Sequence, residues 1–83
     1  MRYTVVLIAD ERPGRYVAYV PVIPGCVTFG DSIDEALMMA QDAASAMIES
    51  MVDHDEEVPT EDAARTIVAS IDVAIPAAAS AVA

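Results

Sequence analysis

Lysine and tryptophan are absent from this chain of 83 residues, and phenylalanine, cysteine and histidine occur once each. Without lysine, four arginines stand against 14 Asp and Glu, a formal net charge of -10. A surface of that sign repels phosphate, so direct nucleic-acid binding is not expected. It attracts a basic protein and speeds the encounter, although the same charge also serves solubility or a salty cytoplasm. The lone Cys26 excludes an internal disulfide framework. The apolar run in MRYTVVLIADE is too short for a signal peptide. No segment approaches the roughly 20 apolar residues that span a bilayer, which predicts a cytoplasmic protein with no membrane partner. Hydrophobic residues make up 55% of the chain, but many are Ala, which predicts a thin core of small and β-branched side chains. A single domain of this size buries only about 60% of its unfolded surface, so a partner or a homo-oligomer, dimer or tetramer, is expected to help it.

What is present is ordered by its turns. Arg2 to Ala9 and Tyr16 to Val20 are rich in Val, Ile, Thr and Tyr and read as strands. Pro13-Gly14 between them makes a hairpin. Pro21 and Pro24 remove backbone donors, Pro24-Gly25 makes a second tight turn, and Cys26 to Phe29 forms a short third strand that Gly30 ends by freeing the backbone. Ser32 then caps a helix and Glu35 completes a capping box, with Asp31 and Asp34 adding charge at the positive end of the helix dipole. Ile33, Ala36, Leu37, Ala40, Ala44, Met47, Ile48 and Met51 recur at helical spacing to about Asp53. The acids after it predict a fraying end. Thr66 to Ile75 alternates and reads as a final strand stopped by Pro76. The expected fold is α+β: a two-layer βββαβ, with a mostly antiparallel sheet and one long amphipathic helix on one face. Residues 1–75 form the single domain and 76–83 an Ala-rich tail.

Few residues suggest catalysis. Cys26 and His54 are the only pair of the Cys-His kind, but Cys26 follows a turn where a small buried hydrophobe is common, and nothing orients His54. Asp53, Asp55, Glu56 and Glu57 lack the spacing and the glycine of a calcium loop and read as a solvated helix end. No phosphate-binding loop, dinucleotide fingerprint or zinc spacing is present, so neither a metal nor a cofactor is expected. Met38, on the polar side of the helix, and Met39, on its flank, are candidates for self-association, since flexible thioethers suit adaptable contacts.

Tyr16-Val17, Val20-Pro21, Pro24-Gly25-Cys26, Gly30-Asp31-Ser32 and Glu35-Ala36-Leu37 occur in one order at fixed separations. Together with the N-terminal strand, this pattern resembles the HicB family of antitoxins from toxin-antitoxin systems. The resemblance implies a partial ribonuclease-H-like fold and a non-enzymatic role: neutralising a small basic HicA toxin, which cleaves mRNA, by covering its active and RNA-binding surface. Asp10, Glu11, Asp31, Asp34 and Glu35, chosen by sign and expected exposure, are the candidate contact residues. Pro24, Gly25, Cys26, Gly30 and Ser32 are the structural motif. Many members carry a C-terminal DNA-binding domain, and no basic segment of that kind follows the final strand here. The alternatives are a solitary protein-binding module without a toxin and, after it, a metal-dependent nuclease using Asp10.

Overall fold

The structure, a computed structural model, describes residues 1–61 and 67–76. Three strands, β1 (Val6–Ala9), β2 (Tyr16–Tyr19) and β3 (Val27–Gly30), precede one helix, α1 (Ile33–Asp53). The strands form an antiparallel sheet in the order β1-β2-β3, and α1 packs across β2 and β3. Two turns of one design make the reversals. Arg15 N–H donates to the Arg12 carbonyl around Pro13-Gly14, and Cys26 N–H donates to the Ile23 carbonyl around Pro24-Gly25. The glycines have φ of 80° and 79°, the left-handed region that the third position of a type II turn requires.

Facing residues lie in rows across the sheet. Ala9, Tyr16 and Gly30 share a row, as do Leu7, Ala18 and Thr28, and these rows face the helix. Ala18, Ala36 and Ala40 are buried together, so helix and sheet meet through methyl groups and approach closely. Gly30 takes that approach furthest. A Cβ there would lie 2.4 Å from the Ala36 backbone nitrogen. Its φ is not positive, so its function is clearance beneath the first helical turn and not the free backbone expected of it. Toward the other end of the sheet, Val20, Val22, Ile23, Cys26 and Ala44 form a second cluster that Tyr3, Val5, Met47, Ile48 and Met51 partly cover.

Both helix ends are closed. Ser32 is extended and its Oγ accepts from Glu35 N–H at 3.0 Å. Glu35 Oε1 accepts from Asp31 N–H at 3.3 Å, one residue before the backbone group that a standard capping box engages. At the C-terminus Asp55 has φ 54°, Asp55 N–H donates to Val52 O, and Glu56 N–H donates to Met51 O at 2.8 Å. This is a Schellman closure with aspartate in the left-handed position, which satisfies the last carbonyls where fraying was expected.

The two-layer α+β arrangement is present as three antiparallel strands and one helix. The last strand of the expected βββαβ order is not paired. Thr66 lies outside the described residues, as do 77–83, and residues 67–76 join no ladder. Ile67, Val68 and Ile71 are each more than 80% exposed. Alternation fits a sequence to a sheet but supplies no neighbour, and here none lies alongside.

Candidate functional site

The carboxylates chosen from the sequence come together at one end of the sheet. Asp10 follows β1 and Asp31 follows β3, each one step beyond the row of Ala9, Tyr16 and Gly30, and Glu11 comes one residue after Asp10. The hairpin turn folds against the same place, with Gly14 facing the Asp31 carbonyl. Asp34 and Glu35 lie in the first turn of α1, directly after Ser32. Glu11, Asp31, Asp34 and Glu35 are exposed.

Asp10 differs from the other four. Its Oδ2 lies 3.5 Å from Arg15 Nε in an ion pair, and its Oδ1 accepts from Glu11 N–H at 2.8 Å. Arg15 in turn lies over the Phe29 ring, 3.8 Å from the centroid. Sequence reasoning missed this stack, which joins residues from β3 and the hairpin turn. An Arg within a few residues of an Asp across a turn was the only available signal. The pair contributes little to stability at this exposure. Its effect is local, because it neutralises Asp10, while Glu11, Asp31, Asp34 and Glu35 form no ion pair among the described residues.

Beside this end the outer sheet face is apolar. Val6, Tyr19 and Val27 form one cross-strand row and Ile8, Val17 and Phe29 the next, with Ile8, Val27 and Phe29 more than half exposed. On the helix Met38 is 61% and Met39 43% exposed.

Cys26 and His54 are not brought together for chemistry. Cys26 is buried in the second cluster, and burial pushes its thiol above the usual cysteine value despite the hydrogen bond with Val20. His54 caps the far end of α1, exposed, with Nδ1 2.7 Å from the Ser50 carbonyl oxygen. Among the described residues no three His, Cys, Asp or Glu side chains gather as metal ligands, and no helix is long and apolar enough to cross a membrane.

Comparisons with known proteins agree with this architecture. The family described as HicB_like antitoxin of bacterial toxin-antitoxin system matches residues 3–79. The UPF0150 protein Ta0767 of Thermoplasma acidophilum is 44% identical over 63 residues, 76% of this chain and 90% of that protein. Antitoxin HicB 1 of Photorhabdus laumondii is 41% identical over 59 residues, 71% of this chain but 37% of that protein. The N-terminal domain of Burkholderia pseudomallei antitoxin HicB superposes with a TM-score of 0.60 over 83% of this chain and 95% of that one, at 23% identity, a likeness of fold. With most of its length matched, its strands and helix in the same arrangement and its turn-and-cap motif formed, the chain belongs to the HicB-like antitoxins of bacterial toxin-antitoxin systems.

Proposed function

We propose that this chain is an antitoxin that binds and neutralises a small basic HicA-type mRNA-cleaving toxin, meeting it with the acidic end of the sheet. The observation that carries the proposal is the set of four exposed carboxylates, Glu11, Asp31, Asp34 and Glu35, without an ion pair among the described residues, on a family member of net charge -10. A toxin that binds RNA presents cations where phosphates lie. Carboxylates on a rigid strand end and helix start can occupy those places, and the field of the whole chain steers the encounter. The antitoxin acts by occlusion, without chemistry of its own and without touching nucleic acid. Asp10 is tied to Arg15 and to the Glu11 amide, which suits a structural carboxylate better than a metal ligand of a nuclease.

The test is to recover partners of the tagged protein from its native host at low salt and assay them for RNA cleavage. A small basic protein whose cleavage stops on adding this chain is the expected result. Recovery of a homo-oligomer alone contradicts the proposal and favours a solitary module.

A further inference from the structure

The chain holds an empty groove and an unpaired strand at the same time. The groove, of about 580 Å³, lies between the chain leading into β1 and the flank of α1, and Tyr3, Val5, Leu37, Ala40, Ala44 and Ile48 are among its lining residues. The edge beside it has free backbone groups. Asp10 N–H donates to the Arg15 carbonyl, so by antiparallel alternation Ile8 and Val6 spend their backbone groups on β2. Leu7 and Ala9 therefore present theirs to the open side. A strand laid there would pair with β1 and drop every second side chain into the groove.

Residues 67–75 have the composition of such a strand. Ile67, Ala69, Ile71, Val73 and Ile75 form one alternating set, and the single charge, Asp72, belongs to the other. On a chain of net charge -10 this is a stretch that another copy repels least. Yet the segment does not occupy its own groove. Ile67, Ile71, Val73 and Ile75 are 58% to 85% exposed. The preceding chain is held at the groove mouth, where Tyr3 Oη donates to the Pro59 carbonyl at 2.7 Å and Thr4 N–H donates to Glu61 Oε1. The molecule is 52 Å along its longest axis, with a radius of gyration of 16.1 Å. A compact chain of this length has a radius of about 12 Å.

We propose that residues 67–75 are a strand given to a second copy of the chain, where they pair with the open edge of β1 and fill the groove against α1. The exchange is reciprocal, because each copy carries one strand to give and one groove to fill. It therefore closes as a two-fold dimer, leaving neither an unfilled groove nor an unpaired strand. The acidic end lies at the far end of β1 from the anchor and stays open in the dimer, so the proposal stands or falls independently of toxin binding.

Light scattering and isotope-filtered NMR test it. The wild type is expected to be a dimer at high micromolar concentration, and Ile71→Asp an 8.7 kDa monomer that keeps its helical circular dichroism. In a mixture of labelled and unlabelled wild-type protein, contacts between Ile71 and Ile48 methyls are expected between copies. A monomeric wild type, Ile71–Ile48 contacts confined to one copy, or a dimer that survives Ile71→Asp overturns the proposal. Dissociation by Met38→Glu in that last case would place the contact on the helix.

Discussion

Residues 16–37 and residues 67–76 draw on the same valine, isoleucine and alanine side chains, and both contain proline. In the first stretch each change of direction is set locally: a Pro-Gly turn closed by Cys26 N–H to Ile23 O, then Ser32 accepting from Glu35 N–H. In the second no such device is present, and the apolar residues stay exposed. The difference separates two requirements of a strand. Alternation makes a segment suitable for a sheet, but a ladder also needs an edge brought alongside. Turns of two residues deliver that edge within β1–β2–β3, whereas residues 67–76 need one about sixty positions earlier or on another chain.

Substitutions that break the tight region rank by how directly they oppose its geometry. Gly30→Ala has the largest expected effect. Its methyl group meets the Ala36 backbone nitrogen at 2.4 Å, so β3 and α1 must move apart, and a loss of about 3 kcal/mol in urea unfolding is expected. Gly25→Val places a β-branched residue at φ 79° and should cost about 2 kcal/mol by the same measurement. Ser32→Ala removes the cap and should cost about 1 kcal/mol, with helical signal lost first from the N-terminal turn. Equal unfolding midpoints for these three variants and the wild type would erase the distinction between the regions.

The loose region predicts smaller numbers and a different signature. At dilutions that separate copies, Ile71→Ser should change stability by less than about 0.5 kcal/mol, as at any exposed site. The effect should grow with protein concentration, and a concentration-independent loss would mean the segment is packed within one copy. Cys26 gives the smallest effect, through pH. Its folded thiol titrates above its unfolded value of 9.0, so the neutral form favours the fold below that pH. That contribution should fade as pH rises through the higher folded value, and Cys26→Ser should flatten the alkaline decline in melting temperature.

What the sequence made legible follows the same division. The hairpin, the Pro24-Gly25 turn, the Ser32 cap and the span of α1 depend on neighbours within a few residues, and they appear where proline, glycine, serine and the helical period place them. The closeness of Gly30 to Ala36 depends on how a strand end meets a helix start, and composition records only that a glycine is there. The Schellman closure at Asp55 was hidden because an aspartate in the left-handed region carries no glycine signal. At the acidic end, sign and expected exposure selected the carboxylates, but their meeting at one end of the sheet follows from the strand order and the helix start. The Arg15 stack on Phe29 depends on the β2–β3 register, which the chain does not record, whereas the Asp10–Arg15 pair that sets Asp10 apart had only their short spacing across the turn to suggest it.

Hydrogen exchange on the complex decides whether the acidic end is where a toxin is held. With the toxin recovered from the host bound to this chain, the amides of Glu11, Asp31, Asp34 and Glu35 should gain protection relative to the free protein, while Val27 and Phe29 on the outer sheet face should not. Protection on the outer face with the acidic end unchanged would instead put the contact on the apolar rows of the sheet and exclude the acidic end as the toxin site.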